Sequence, residues 1–317
     1  MDSDVAGNPA VRFVTISADF AGQRLDNFLM RELKGVPKSR IYNILRRGEV
    51  RVNKARAKPP YKLLAGDVVR IPPVRVAERE VAAVPVSLAE DIRSRILYED
   101  EGLMVIDKPS GLAVHGGSGI SLGLIESLRQ VFPDERQLEL VHRLDRDTSG
   151  CVMVAKKRKH LKELHELLKA KYSVDKRYLA LVAGSWPVRK EQVKVRLQKN
   201  VLQSGERMVR AGLEGKYSLT EYRVRARIEG ASLVEARPIT GRTHQIRVHC
   251  QYAGYPILGD DKYGDDQQNL LFRERGLRRL FLHAHALSFD LFGKKIAVTA
   301  PLPAELRGIL GDAGEEF

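Results

Sequence analysis

Apolar residues with helical spacing open the chain. Residues 25–29 place three large apolar side chains at i, i+3 and i+4, which is one face of a helix. Residues 41–45 repeat this spacing, with Ser39 positioned to cap a second helix and Gly48 positioned to end it. Residues 49–54 then alternate as a short strand running into a turn would. The pattern predicts a small unit of two helices and short strands.

A longer series of strands and helices follows further along the chain. Apolar runs and alternation predict strands at residues 96–98, 103–106, 178–182, 222–228, 231–236, 286–290 and 295–298, and helical spacing predicts helices at residues 124–128 and 161–168. Glu229 and Gly230 separate two of the strands as a hairpin turn would. Because antiparallel strands dominate with helices interspersed, we predict an α+β fold with a mixed, mainly antiparallel sheet flanked by helices.

These patterns divide the chain into three parts. We predict a small α/β unit over residues 1–75, a linker rich in Val, Ala, Glu and Pro over residues 76–92, and a larger domain over residues 93–317. A chain of 317 residues is long enough for two domains.

Basic residues dominate one stretch of the small unit. Between Lys38 and Lys58 there are eight Lys and Arg residues and one acid, Glu49. A solvated surface normally mixes both signs of charge, so this stretch predicts a surface that contacts phosphates. The candidate contacts are Lys38, Arg40, Arg46, Arg47, Arg51 and Lys54.

The composition of the whole chain indicates a polyanionic partner. There are 54 Lys and Arg residues against 40 Asp and Glu, a net charge of +14. Nucleic acid is favoured over an anionic membrane, because no apolar run approaches the length of about 18 residues that spans a bilayer and no basic amphipathic helix is evident. Residues 1–7 lack the features of a signal peptide, and Cys151 and Cys250 are too few for a disulfide framework. We therefore expect a cytoplasmic protein.

Ionisable residues crowd the segment 142–150. Asp145 and Asp147 stand there with two arginines, a histidine and two hydroxyls, between two apolar runs. Polar residues at the end of a buried strand usually form a site, and a carboxylate beside arginines can stay ionised there as a nucleophile or base. The alternative is a surface turn held by exposed ion pairs, and this segment by itself does not decide between them.

A second polar cluster spans residues 238–249. Gly241 is expected to permit a tight strand-to-helix turn, and Thr243 to cap the helix that follows. Ile246 would face the core, whereas Arg247 would project into a cleft and hold a carboxylate by two parallel hydrogen bonds. The alternative is an ordinary amphipathic helix with polar capping.

Neither a metal site nor a nucleotide-cofactor site is predicted. No two histidines have the i, i+4 spacing of a zinc-binding helix, and there is no Cys-x-x-Cys pair. The glycine-rich residues 115–119 lack the Lys-Ser/Thr ending of a phosphate loop. We expect structural roles for the histidines His142, His244, His249, His283 and His285.

Three motifs in this order resemble one known family. They are HRLDxxTSG at residues 142–150, KxY at residues 176–178 and TGRTHQIRVH at residues 240–249. Together they resemble the RluA-type pseudouridine synthases, over residues from about 93 to the end, and the small unit resembles the S4 RNA-binding domain that many of these enzymes carry. Further agreement with the family lies at residues 256–264 and 282–284, and details at residues 35–39, 48–54 and 114–119 resemble its members that modify large-subunit ribosomal RNA.

The resemblance implies a pseudouridine-synthase fold and the isomerisation of uridine to pseudouridine. Asp145 would be the nucleophile or base. Arg247 would be its ion-pair partner, with Arg242 as the rival for that role. Tyr178, which by its local sequence alone is typical of a core tyrosine, would stack on the flipped uracil and help to take the C5 proton. The other implied pocket residues are Leu282, Arg143 and His142.

The resemblance also implies the partner. This would be 23S ribosomal RNA, free or in the assembling large subunit, with no membrane, no small-molecule cofactor and a monomeric enzyme. A glycosidase needs a second carboxylate, and Asp147 is expected to point elsewhere if its segment is extended. One carboxylate therefore suits an internal rearrangement better than hydrolysis. The alternatives are a nucleoside hydrolase, a non-catalytic RNA-binding or ribosome-assembly factor, and the same chemistry on other uridines or on tRNA.

Overall fold

The computed structural model describes residues 10–33, 35–74, 83–116, 122–201, 207–315 and 317. The chain divides into two compact units, Met1–Val81 and Ala82–Phe317, each with its own hydrophobic core. The expected likeness at residues 114–119 and the expected linker each fall partly outside the described residues.

The N-terminal unit packs two helices on a small antiparallel sheet. Its elements are β1 (Arg12–Thr15), α1 (Leu25–Glu32), α2 (Lys38–Arg46), β2 (Arg51–Val52), β3 (Ala55–Arg56) and β4 (Val68–Ile71). The four strands lie in the order β1-β4-β2-β3. The apolar stripes of both helices are buried in one core with the inward side of the sheet, so the helical periodicity of this region is confirmed.

The start of α2 differs from the prediction. The helix begins at Lys38, and Pro37 stands before it with an extended backbone that already turns the chain into the helix. Ser39 lies exposed within the first turn and caps nothing. Gly48 does follow the last turn, in the left-handed region at φ +70°, where its amide donates to Leu45 O at 3.0 Å.

The C-terminal unit alternates strands and helices. Its elements are α3 (Val86–Ser94), β5 (Ile96–Glu99), β6 (Leu103–Lys108), α4 (Leu124–Val131), β7 (Glu139–Leu140), β8 (Ser149–Ala155), α5 (Arg158–Lys169), β9 (Val174–Ala183), β10 (Gln192–Val201), β11 (Arg207–Ala211), β12 (Lys216–Ile228), β13 (Ala231–Pro238), α6 (Gln245–Tyr252), α7 (Asp266–Glu274), β14 (Leu282–Leu291), β15 (Lys294–Thr299) and α8 (Ala304–Leu310). Each strand and helix predicted in this unit is present.

One sheet of eleven strands organises the described part of this unit. Nine strands follow the order β11-β10-β12-β13-β9-β14-β8-β6-β5, with β15 paired to β14 and β7 to β8. Within the described residues, β14 and β8 form the one parallel pair and the other pairs are antiparallel. The predicted α+β fold with a mixed, mainly antiparallel sheet is therefore confirmed, as are the hairpins β12–β13 and β14–β15.

Helices cover both faces of the central strands. β6 and β8 are buried along their whole lengths, with α4 packed on one face and α5 on the other. Gly150 in β8 has φ +106°, and a Cβ there would lie 2.3 Å from the carbonyl oxygen of Ala284 in β14. Only glycine allows these two strands to approach so closely, and their contact brings the segment before β8 beside the start of β14.

Part of the predicted linker is a helix. α3 begins at Val86, and its Ile92 is buried in the core of the C-terminal unit with Leu88 packed beside it. These two residues have i, i+4 spacing, a helical signal that the Val, Ala and Pro content of the segment obscured. No helix among the described residues is long and apolar enough to cross a membrane.

Candidate active site

One cavity collects the residues that the sequence predicted for chemistry. It has a volume of about 600 Å³ and lies in the C-terminal unit. The walls come from the segment before β8, the start of α6, β9 and the start of β14. All seven residues predicted for catalysis or the pocket line it, namely His142, Arg143, Asp145, Tyr178, Arg242, Arg247 and Leu282.

The segment that carries Asp145 is a turn, not an extended chain. The amide of Thr148 donates to the carbonyl of Asp145 at 3.2 Å. Asp147 points elsewhere, as expected: it pairs with Arg146 at 2.9 Å and lines a different cavity. The physical reason is the turn, because in an extended chain residues two apart would have shared a face. Asp145 is the one carboxylate among the described residues that line the larger cavity.

Hydrogen bonds from Lys108 and Ser110 fix the backbone of this turn. The Lys108 Nζ donates to three carbonyl oxygens, one of which belongs to Arg146 at 2.9 Å. The Ser110 hydroxyl donates to the carbonyl of Asp147 at 2.8 Å. Lys108 is fully buried, and this burial lowers the pKa of its amine to about 7, with the nearby charge of Arg279 acting in the same direction. The turn is therefore fixed by β6 and the residues that follow it.

Arg247 connects two carboxylates. Its Nε and Nη2 donate to the two oxygens of Asp260, both at 2.7 Å, and its Nη1 lies 3.4 Å from Asp145 Oδ2. Asp260 is fully buried and also accepts the backbone amides of Lys262 and Tyr263. Burial opposes charge on Arg247, but the hydrogen bonds and charges of Asp260 and Asp145 outweigh it and raise its pKa above the ordinary value. The guanidinium is therefore permanently charged and aimed by Asp260.

The start of α6 also differs from the prediction. The helix begins at Gln245, and the residue before it, His244, is in the left-handed region at φ 53° with no side-chain cap bond. Gly241 does not have a positive φ, and a Cβ there would meet nothing within 4 Å, so the turn does not require glycine at that position. Thr243 caps nothing, because the chain reverses at His244 instead. Gln245 to Cys250 are all buried, which rules out an ordinary amphipathic surface helix.

Tyr178 and Leu282 form an apolar wall of the cavity. Tyr178 is half-buried on β9, and Leu282 at the start of β14 is buried opposite Ala180 of β9. Burial raises the pKa of the Tyr178 phenol above its ordinary value, and the charge of Asp145 raises it further. The phenol therefore keeps its proton at neutral pH, which makes it a poor proton acceptor.

The mouth of the cavity is basic. Arg143 and Arg242 are exposed there with Lys169 and Lys171, and the half-buried Lys176 also lines the cavity. Arg242 makes its hydrogen bond from Nε to the carbonyl of Tyr217, not to Asp145. Of the two arginines that the sequence offered as partners of Asp145, the structure therefore places Arg247 beside it and Arg242 at the rim.

The histidines expected to be structural have structural contacts, with one exception. His142 Nε2 accepts the amide of Met153, and burial lowers its pKa to about 4, so it lines the cavity as a neutral ring. His249 and His283 are fully buried, hydrogen-bonded to serine hydroxyls, and also have pKa values lowered by burial to about 4. His244 is the exception, since its Nε2 lies 3.8 Å from Asp145 Oδ1. Among the described residues, no three His, Cys, Asp or Glu side chains are grouped to hold a metal ion.

The six basic residues predicted for RNA contact lie on the N-terminal unit. All are exposed, along α2, β2 and the turn after β2. Arg47 is 3.9 Å from Glu49, and the Arg51 guanidinium donates to the carbonyl of Lys54. The structure thus gives this surface the exposure that phosphate contact requires.

Comparison with known proteins identifies both parts of the chain. Residues 102–252 match the family described as RNA pseudouridylate synthase, and residues 23–69 match the S4 domain. A Pasteurella multocida protein named ribosomal large subunit pseudouridine synthase C is 56% identical over 313 residues, covering 98% of this chain and 96% of that protein. The chain belongs to the RNA pseudouridylate synthase family. An Escherichia coli K12 protein of the same name is 57% identical over 308 residues, covering 95% of this chain and 96% of that protein.

Solved structures of pseudouridylate synthases agree with the fold. Human RNA pseudouridylate synthase domain containing 4 is 28% identical, with a TM-score of 0.59, and covers 71% of this chain and 94% of its own. Human RNA pseudouridylate synthase domain containing 1 is 29% identical, with a TM-score of 0.56, and covers 70% of this chain and 87% of its own. The expected pseudouridine-synthase fold and N-terminal S4 domain are therefore confirmed.

Two residues at the centre of this pseudouridine synthase were assigned no catalytic role from the sequence. Asp260 belongs to the segment 256–264, which was noted for its agreement with the family and not for its chemistry. Because the polar residues Asp261 and Lys262 follow it, the local sequence gave no signal that Asp260 is buried. His244 was assigned a structural role. Its approach to Asp145 depends on a left-handed backbone, and no rule of sequence spacing predicts that conformation.

Proposed function

We propose that this protein isomerises specific uridines of 23S ribosomal RNA, the RNA of the large ribosomal subunit, to pseudouridine. One observation carries the proposal: Asp145, with its side chain 20% exposed, faces a cavity of about 600 Å³ beside the charged Arg247 and the ring of Tyr178. A cavity of this size takes a single nucleoside and not a stacked helix, so the target base must leave its stack to enter.

The reaction needs a carboxylate beside the sugar. The bond between C1′ of the ribose and N1 of the uracil breaks, the detached uracil turns, and C1′ joins C5. The hydrogen on C5 leaves as a proton and N1 gains one, so the atoms balance without water or a redox partner. Asp145 acts on the electron-deficient sugar, either as a nucleophile that attacks it or as a base that removes one of its protons. Arg247, with Nη1 3.4 Å from Asp145 Oδ2, holds that carboxylate in position.

The pocket holds the uracil while it is detached. We assign Tyr178 to stacking on the base and Leu282 to the apolar wall beside it. Since the phenol of Tyr178 keeps its proton, its expected help in taking the C5 proton is the weaker part of its assignment. The basic mouth, with Arg143 and Arg242 at its edge, would stabilise the opened RNA around the flipped nucleotide.

Hydrolysis is less well supported than isomerisation. A nucleoside hydrolase needs a second group for water or the leaving base. Asp147 lines another cavity, and Asp260 is fully buried behind Arg247, so neither carboxylate reaches a substrate bound at Asp145. A cavity with one reactive carboxylate favours a reaction in which the base is kept and reattached.

The choice of RNA rests on the relatives. Proteins 56% and 57% identical to this chain are named for the large ribosomal subunit. We propose that the S4-like unit, residues 1–75, adds phosphate contacts that do not read sequence, and that residues 93–317 carry the catalysis. We further propose that the enzyme is a cytoplasmic monomer without a small-molecule cofactor, acting on 23S RNA that is free or in an assembling large subunit.

Tritium release tests the proposal directly. RNA carrying tritium at uridine C5 must lose that label when the new bond to C5 forms. We expect the wild type to release tritium from unmodified 23S RNA, and Asp145→Asn to release none while still binding the RNA. Asp147→Asn is the matched control, since it removes a carboxylate two residues away that faces another cavity, and it should keep the wild-type rate.

The outcomes separate the alternatives. Release of free uracil would establish a hydrolase. Binding without any tritium release from 23S RNA or tRNA would favour a non-catalytic assembly factor, and release from tRNA alone would reassign the substrate. Loss of RNA binding in a folded Asp145→Asn variant would contradict the separation of binding from chemistry proposed for these residues.

A further inference from the structure

His244 faces the oxygen of the reactive carboxylate that Arg247 does not contact. Its Nε2 lies 3.8 Å from Asp145 Oδ1, whereas Arg247 Nη1 lies 3.4 Å from Asp145 Oδ2. The two residues are three apart at the start of α6, so one short segment presents a nitrogen to each oxygen of Asp145. Distances of this kind are common in enzymes without substrate and shorten when the substrate is bound.

The backbone at His244 is arranged for this approach. Histidine there has φ 53° and ψ 22°, in the left-handed region that residues other than glycine occupy uncommonly. The conformation provides no cap for α6, because the side chain accepts no bond from the helix. Its consequence is instead that the imidazole turns into the cavity that contains Asp145.

Tyr263 determines which ring nitrogen carries the proton. The Tyr263 hydroxyl oxygen accepts the amide of Val209 at 3.0 Å and lies 2.8 Å from His244 Nδ1. Among the described residues, Nδ1 is the one acceptor within reach of the hydroxyl hydrogen. The hydroxyl therefore donates to Nδ1, and a neutral His244 carries its hydrogen on Nε2, facing Asp145.

We propose that His244 is a further positioning residue of this enzyme, whose Nε2–H binds Oδ1 of Asp145 when the uridine enters and so fixes the plane of the carboxylate. This inference rests on the proposed function. A neutral donor restrains Asp145 without adding a second positive charge to that of Arg247, so the carboxylate keeps its reactivity. Burial lowers the pKa of His244 more than the charge of Asp145 raises it, which keeps the ring neutral.

Two substitutions at His244 separate the effect of its hydrogen-bond donor from the effect of its side-chain volume. His244→Leu retains side-chain volume without a donor, and His244→Gln can place an amide N–H near the position of Nε2. We expect His244→Leu to lower kcat for tritium release by about 10-fold to 100-fold, with KM and RNA affinity unchanged. His244→Gln should recover most of that loss.

A double-mutant cycle with Tyr263→Phe tests the role of the hydroxyl. Tyr263→Phe alone should lower kcat less than His244→Leu does, because the ring stays but its tautomer is no longer fixed. If Tyr263 acts through His244, the double variant should be no slower than His244→Leu alone. Circular dichroism and urea unfolding monitor the fold of each variant, and Tyr263→Phe and His244→Gln still test the idea if His244→Leu does not fold.

Results that would contradict the role of His244 can be distinguished from a failure of the proposed function. An unchanged kcat in His244→Leu, an equal loss in Leu and Gln variants, or a rise in KM alone would each overturn the positioning role. If those results appear in an enzyme whose wild type releases tritium, only this inference fails. If the wild type releases none, the proposed function fails and this inference fails with it.

Discussion

Asp260 holds Arg247 more firmly than Asp145 does, and this makes Asp260→Asn an informative change. Arg247 gives Asp260 two hydrogen bonds at 2.7 Å but reaches Asp145 with one nitrogen at 3.4 Å. Asparagine has the same shape as aspartate but no charge, and one of its two terminal groups is a donor that faces the guanidinium. Arg247 would then be a buried cation that has lost its principal partner.

The expected loss of stability follows from burial. The Asp260 side chain is fully buried and that of Arg247 is 9% exposed. Breaking a buried ion pair by removing one partner typically costs about 3–5 kcal/mol, because the remaining charge is left uncompensated. The backbone amides of Lys262 and Tyr263 would then donate to a neutral amide oxygen instead of a carboxylate, so these two hydrogen bonds are weakened as well.

The expected loss of activity follows from geometry. Freed from Asp260, the guanidinium can shift towards Asp145 and pair with it more closely, which moves the carboxylate from its position beside the sugar. A displacement of about 1 Å in a reacting group can reduce the rate by about 100-fold. We therefore expect kcat for tritium release to fall by about that factor, with little change in RNA affinity.

Urea unfolding and tritium release measure the two effects on the same preparations. Asp261→Asn is the matched control, since it removes the neighbouring carboxylate, which is exposed, and should change neither quantity. Wild-type stability and wild-type kcat in a folded Asp260→Asn variant would refute the argument that Asp260 aims Arg247. Loss of stability with an unchanged kcat would limit Asp260 to a structural role.

Three further predictions test other parts of the structure. Tyr178→Leu should lower kcat/KM by about 10-fold to 100-fold because stacking on the base is lost, whereas Tyr178→Phe should keep most of the wild-type kcat/KM. Equal losses in the Leu and Phe variants would show that the hydroxyl and not the ring matters. Burial lowers the pKa of His249 to about 4, whereas a histidine in an unfolded chain titrates near about 6.5. As the pH falls below about 6.5, the unfolded chain therefore binds a proton that the folded chain does not bind. This residue should lower the free energy of unfolding by about 2 kcal/mol by about pH 5. His249→Gln should remove that share of the pH dependence in urea unfolding, and an unchanged pH dependence in this variant would contradict the argument. Arg46→Gln should weaken RNA binding equally for all sequences and reduce its salt dependence, as measured by filter binding over a range of salt concentrations; an unchanged slope would contradict phosphate contact there.

Several features of the fold were readable because their signals are local. The apolar runs that became β6 and β8, and the Glu229-Gly230 turn of the β12–β13 hairpin, depend on neighbours within a few residues. Helix starts were read less well, since Ser39 and Thr243 have the right chemistry for a cap but the chain turns at Pro37 and His244. Whether a residue caps a helix depends on the backbone conformation at that position, and a suitable side chain is not sufficient.

The sequence by itself determined the family, the α+β class, the basic N-terminal surface and seven of the residues that line the cavity. Side-chain type, periodicity and motif order are properties of the sequence, so these conclusions did not depend on the tertiary structure. Only the tertiary structure decided that Arg247, 102 residues from Asp145, is aimed chiefly by Asp260, and that His244 and not Arg242 faces the other oxygen. Such contacts depend on how strands and helices far apart in the chain pack together, and local periodicity does not encode that packing.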